Sequence, residues 1–266
     1  MPDRRYSRRT FAAAGTAAGM AMLVRASQAR AEGGQAVLER ADLRRNPKTP
    51  FRMTNTVIEY HGGVAKQKLQ LQIHAKLDPA TGRFRNLVRY IMPAKDAGKI
   101  LLLNGKIMWF YDPASSATVR ISPQQRLLGQ ASNADVVAVN LAKDYEVKSA
   151  AQETVTDADR KPRQAWLLQL APLGEYAMYG RIDYWVEVGT DLPVKGRFFS
   201  DSGRLLKVVY YRAYQSQLGG VRPTEALIVD ELNANLVTTM GFSAYEAFDT
   251  PDSWFQRDSL QSIGRR

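Results

Sequence analysis

From Val64 to Asp78 the chain reads VAKQKLQLQIHAKLD, in which Leu69, Leu71, Ile73, Ala75 and Leu77 alternate with Lys68, Gln70, Gln72, His74 and Lys76. A period of two with one apolar and one polar face is a strand buried on one side and wet on the other. Comparable strand segments follow one another along the chain: FRMTNTVIEY, FRNLVRYIMP, ILLLNGKIMWFYDP, SSATVRIS, RQAWLLQLAP, YGRIDYWVEV, LPVKGRFFSDSG, RLLKVVYYRAYQ and RPTEALIVDELN. Short turns join them, among them His61-Gly62-Gly63, DPATGR and the hairpin signal Asn104-Gly105. Crossover helices do not alternate with these strands, which argues against a doubly wound parallel sheet. The expected fold is mainly β (α+β): a single antiparallel sheet with too many strands to stay flat, strongly curved into an incomplete barrel and covered by a few helices. A short amphipathic helix, GQAVLERADLRRNP, opens this unit with Val37, Leu38 and Ala41 on one face, and DTPDSWFQRDSLQSI closes it as a second helix. No Pro-, Ser- or Gly-rich linker divides the stretch 32–266, so it reads as one domain.

Residues 1–31 have the anatomy of an export signal: a basic region, a weakly apolar core from Phe11 to Val24, and small residues Ala29 and Ala31 flanking an expected cleavage after Ala31. Ser7-Arg8-Arg9-Thr10-Phe11 is similar to the twin-arginine motif, a receptor-read address with Arg8 and Arg9 at its centre. An ordinary secretory signal is the competing reading, and both deliver the protein to the periplasm. The whole chain carries +11; this segment holds six Arg and one Asp, which leaves +6 on the remainder. That charge is dispersed along strands, which suits an anionic surface and not a nucleic acid. The chain has no Cys, so disulfides, thiolate metal sites, a Cys nucleophile and an N-terminal lipid anchor on Cys are excluded. The remaining length is enough to bury a core unaided, as an expected soluble monomer.

The meander breaks once, at SPQQRLLGQASNADVVAVNLAKDYEV, residues 122–147. Within Gln124 to Tyr145, Leu127, Leu128, Ala131, Val137, Leu141 and Tyr145 fall on one side of a broken helix. Gly129 and Ser132-Asn133 interrupt it, so the expectation is two short helical pieces with these residues as hinges. Two readings stay open: an insert that plugs the sheet, or a lid that leaves an apolar cavity in the mouth of the curved sheet. On the second reading the lining candidates are Leu69, Leu71 and Ile73; Ile107, Trp109 and Tyr111; Ile182, Tyr184 and Val186; and Leu127, Val137 and Leu141 from the insert.

Enzymatic signatures are missing. The two His, His61 in a Gly turn and His74 on the polar face of a strand, read as solvated, and no metal-ligand spacing surrounds them. No nucleophile elbow, phosphate-binding loop or dinucleotide fingerprint occurs, so no cofactor and no metal are expected. Dispersed Asp and Glu keep a periplasmic hydrolase as a minor alternative. An interaction or assembly protein with a filled core, using a surface such as Tyr210, Tyr211 and Tyr214, is the other.

In their order, PAKDAGKILLLNGKIMWFYDP, ISPQQRLLGQASNADVVAVNLAKDYEV, YWVEVGTDLPVKGRFFSDSGRLLKVVYY and GGVRPTEALIVD resemble the outer-membrane lipoprotein-sorting, LolA-like family. The likeness is greater to its larger branch, found with lipid-exporting membrane transporters. The resemblance implies an incomplete barrel with a helical lid, acyl chains as cargo and an inner-membrane transporter as partner. The family's own functional residues have no matching positions here, so none is carried over.

Overall fold

The computed structural model describes residues 33–230, 233 and 235–264. The expected export signal, with Arg8, Arg9, Ala29 and Ala31, lies outside them.

Helix α1 (33–45) comes first, followed by β1 (Phe51–His61), β2 (Val64–Leu77), β3 (Phe84–Met92), β4 (Ile100–Asn104), β5 (Ile107–Asp112) and β6 (Ala117–Ile121). An insert contains β7 (Arg126–Leu128), β8 (Ala131–Ser132), a 3-10 turn (Asn133–Val136) and the one-turn helix α2 (Leu141–Asp144). Then come β9 (Tyr145–Thr156), β10 (Pro162–Pro172), β11 (Arg181–Glu187), β12 (Pro193–Phe199), β13 (Leu205–Gln217), β14 (Gly220–Val229) and β15 (Leu236–Ala247). The chain closes on two 3-10 turns (Asp252–Phe255 and Arg257–Ser259) and α3 (Leu260–Gly264).

Thirteen strands form one antiparallel sheet in the order β6-β5-β4-β3-β2-β1-β15-β14-β13-β12-β11-β10-β9. The chain therefore starts at the centre, runs outward to the β6 edge, crosses to the β9 edge and returns to pair β15 with β1. The insert is that crossing. β6 and β9 do not pair, so the sheet stays open, as the strand pattern predicts for an incomplete barrel.

Register decides what the concave side holds. Opposite pairs Phe51↔Ala75, Met53↔Ile73, Asn55↔Leu71 and Val57↔Leu69 put one phase of β1 and β2 together. All except Asn55 belong to the main core, which α1 completes with Val37, Leu38 and Ala41. The opposite face is also covered: Phe255, Leu260 and Ile263 of the closing segment pack on Leu87, Ile100, Leu102 and Tyr111. This cover corrects the reading of His74. It is on the outward face as its phase predicts, yet only 1% exposed, with Nδ1 2.9 Å from Thr250 Oγ1 and its ring against Phe248 and Trp254. His61 is exposed, 2.9 Å from Glu59.

Candidate functional site: a lid over the concave sheet

The insert is not the pair of helices its apolar spacing suggests. Its first half is a hairpin, β7–β8, turning at Gly129-Gln130. Gly129 has φ +56°, and a Cβ there would lie 2.3 Å from Thr238 Oγ1. The Gln130 N–H donates to the same hydroxyl at 2.8 Å. Glycine is needed at this expected hinge position because the turn presses on the sheet. Ser132 and Asn133, the other expected hinge residues, are buried. The Ser132 N–H donates to Asp135 Oδ2 at 2.7 Å in a capping box, and Asn133 Nδ2 donates to the Ser122 carbonyl at 3.3 Å.

The second half, residues 133–144, lies across the concave face. Between the 3-10 turn and α2 its backbone is extended without a strand partner, so its N–H and C=O groups need other partners away from water. Buried Asn86 on β3 supplies two bonds, donating to the Ala138 carbonyl at 2.9 Å and accepting the Ala138 N–H at 2.7 Å. Asn46, just past α1, donates to the Val139 carbonyl at 2.8 Å. Asp42 of α1 accepts the Ala142 N–H at 2.8 Å, and Arg83 holds Asp144 at 2.7 Å. The lid is thus tied by individual polar groups and not by a sheet ladder.

Its strongest tie is a buried cluster. The Lys207 ammonium on β13, 5% exposed, lies 2.6 Å from Asp135 Oδ1, 2.7 Å from the Tyr179 hydroxyl and 3.0 Å from Ser132 Oγ. Burial pushes the Tyr179 phenol well above its ordinary range. Burial also lifts the Asp42 carboxyl to about 6, against the pull of Arg45, and lifts Asp144 against its pairing with Arg83. Burial opposes the Arg45 charge, but Tyr184, Tyr211 and Asp42 together hold its guanidinium above the usual value.

Beneath the lid is a cavity of about 110 Å³. Ala134, Val136, Val137, Ala138 and Leu141 form its roof, and Met53, Phe198, Val209, Ile228, Met240 and Phe242 much of its floor. Binding pockets for small molecules run to roughly 300–1,000 Å³, and a cavity of about 150 Å³ takes a benzene. In this closed state, then, a long chain does not fit without movement of the lid.

Of the residues expected from sequence to line such a space, Val137 and Leu141 do so. Leu69, Leu71, Ile73, Ile182, Tyr184 and Val186 belong to the same core without lining the cavity, and Leu127 is half-buried against that core. Trp109 and Tyr111 correct the expectation: both pack in the outer cluster under the closing segment. Ile107 shares their phase, and the inward residues of β5 are Met108 and Phe110. Every position from Ile107 to Tyr111 is apolar, so alternation could not show which phase points inward. The floor was missed because it rests largely on β13, β14 and β15. Its signal was present in the alternate apolar pairs Val209/Tyr211, Ala226/Ile228 and Met240/Phe242. Asn86 and Asn46, the polar ties of the lid, had no motif to betray them.

Comparison with known proteins places this architecture. A family model described as an uncharacterized protein matches residues 82–262. A crystal structure of a LolA superfamily protein from Nitrosomonas europaea is 28% identical, with a TM-score of 0.74 over 85% of this chain and 98% of that one. The chain belongs to the family of that model and is LolA-like in fold. The same LolA-like fold recurs in a DUF1329 family protein from Desulfovibrio piger, at 19% identity and TM-score 0.73 over 87% of this chain and 99% of that one. It recurs also in a Vibrio parahaemolyticus domain described as an outer membrane lipoprotein-sorting protein, at 16% identity and TM-score 0.68 over 87% and 99%. A search of curated proteins gave no match.

Proposed function

We propose that this LolA-like protein is an exported, non-enzymatic carrier that shelters acyl chains between the concave sheet and the lid. The observation that carries the reading is a mainly apolar cavity of about 110 Å³, with Arg45, Asp135 and Asp144 also in its lining, roofed by a segment held through separate polar ties. Burial of about eight methylenes is worth about 6 kcal/mol. That is the size needed to displace several hydrogen bonds at about 1 kcal/mol each. Release follows when a partner offers a better apolar site.

The description of the Vibrio parahaemolyticus domain as a lipoprotein-sorting protein supports lipid or lipoprotein cargo. Periplasmic location, delivery towards the outer membrane and work with an inner-membrane lipid exporter rest on the signal-like N-terminus and the family resemblance. Among the described residues no group of three or more His, Cys, Asp or Glu is placed to hold a metal ion. A second reading has one observation in its favour: the closed cavity is small enough for the protein to be an assembly factor with a filled core. Native mass spectrometry of protein taken from the periplasm, with uptake of a fluorescent fatty acid, separates the two. Bound lipid or saturable uptake supports the carrier; an empty protein that takes up no probe and holds a stable protein partner supports the filled core.

A further inference from the structure

A second pocket, of about 220 Å³, abuts the apolar cavity and differs from it in chemistry. Its walls include Gln124, Arg126, Ser132, Tyr179, Arg204 and Lys207, so three cations converge on it. Arg126 and Arg204 are exposed, on β7 and just before β13. Neither guanidinium takes part in any of the ion pairs found among the described residues. Two guanidinium groups with no ion-pair partner among the described residues, beside an ammonium, form an anion site by charge and by donor geometry, since the guanidinium fork matches phosphate and carboxylate oxygens.

The wall between the two spaces is the Ser132–Asp135–Tyr179–Lys207 cluster. Tyr179 lines both, Asp135 lines the apolar side, and Ser132 and Lys207 line the basic side. A buried ammonium does not leave its carboxylate for nothing, because an unpaired buried charge is costly. Here an exchange gives Lys207 a new anion as partner and lowers the cost of leaving the old one. If Lys207 turns to an anion in the basic pocket, Asp135 keeps the Ser132 N–H at 2.7 Å and the Ser132 hydroxyl at 2.9 Å.

We propose that the basic pocket takes the anionic headgroup, phosphate or carboxylate, of an amphiphile whose acyl chain enters the apolar cavity, with Lys207 passing from Asp135 to that headgroup as the wall opens. The inference rests on the carrier reading and specifies its ligand class: an anionic amphiphile is held at both ends, a neutral one only by its chain.

The test uses probes with one acyl chain and different heads: palmitoyl lysophosphatidate, palmitate and monopalmitoylglycerol, with inorganic phosphate as the chain-free anion. Each is titrated into the wild-type protein and the Arg126→Gln/Arg204→Gln variant, whose exposed side chains make no hydrogen bond to another described residue. The wild type should bind the two anionic probes about tenfold more tightly than the neutral one, and the variant should lose that preference while binding the neutral probe unchanged. Comparison of lysophosphatidate with palmitate then tells a phosphate from a carboxylate site. Equal affinity for charged and neutral probes, or an anionic preference that survives in the variant, overturns the headgroup site. Phosphate bound as tightly as lysophosphatidate also overturns it, in favour of a free-anion site. If none of the three amphiphiles binds, the carrier reading itself fails and this inference with it; binding of the neutral probe keeps the two failures apart.

Discussion

Replacing Asp135 by Asn removes the carboxylate from the cluster that ties the lid to β13, while keeping its shape. Lys207 would then stay buried at 5% exposure with only neutral acceptors near its ammonium, the hydroxyls of Tyr179 and Ser132 and the new amide oxygen. Loss of one partner of a buried ion pair costs about 3–5 kcal/mol. These neutral acceptors argue for the lower end, about 3 kcal/mol. For a domain of this size that is a fall in melting temperature of roughly 6–12 °C. Lys207→Met should cost less, about 2 kcal/mol, because Asp135 keeps both bonds from Ser132. The double variant removes both charges together and should cost clearly less than the two singles combined, with a coupling of about 2 kcal/mol. Urea unfolding at neutral pH, followed by the fluorescence of the four Trp, measures all four corners of the cycle. A cost below about 1 kcal/mol for Asp135→Asn, or strict additivity, would refute the argument that this pair is desolvated and holds the lid.

Two other outcomes follow from named residues. Burial holds the His74 imidazole down at about 4 against an ordinary 6.5, so the unfolded chain takes up a proton first as pH falls. His74 therefore contributes stability that is present above about pH 6.5 and is lost towards pH 4, about 3 kcal/mol in all. Asp42, raised to about 6, acts in the opposite sense, because the folded form binds its proton first, so its contribution grows as pH falls from about 6. The difference in unfolding free energy between wild type and His74→Gln isolates the histidine and should change in the variant's favour by about 2–3 kcal/mol from pH 7.5 to 4.5; an unchanged difference contradicts a buried neutral imidazole. Arg8→Lys with Arg9→Lys keeps the charge of the N-terminus but not its guanidinium groups, so the precursor should accumulate in the cytoplasm, and normal processing would assign export to the general secretory route.

Strands whose two faces differ were legible in the sequence. β2 announces itself through Leu69, Leu71 and Ile73, and the opening helix through Val37, Leu38 and Ala41. Where both faces are covered the alternation vanishes, as in β4 and β5, and only the three-dimensional placement of the closing segment tells Trp109 from Met108. β9 and β15 escaped the strand reading for other reasons: Tyr145–Thr156 is rich in Ala, Thr, Ser and Glu, with few large apolar residues to mark a phase, and Leu236–Ala247 shows a clear alternation only at Met240 and Phe242. That omission mattered, since β15 joins the two halves of the sheet at β1 and carries part of the cavity floor. The insert was recognisable as the break in the meander and as cover for the sheet. Its hairpin and extended path were not, because they depend on contacts with Thr238, Asn86, Asn46 and Lys207, which are distant in sequence.

Opening of the lid is what the carrier requires of this fold, and it can be stopped at one place. The Asn86 side chain meets the Ala138 backbone through two hydrogen bonds of 2.9 and 2.7 Å, and the chain has no Cys of its own, so Asn86→Cys with Ala138→Cys, once its oxidation is verified by mass, gives a single reducible bridge across the middle of the lid. The measurement is the rate at which a fluorescent fatty acid enters and leaves the bridged protein, compared with the same protein after reduction. The account predicts that the bridge blocks both loading and release and that reduction restores both. Exchange at the same rate in the bridged and reduced forms would contradict it, and would make this segment a plug in an ordinary core.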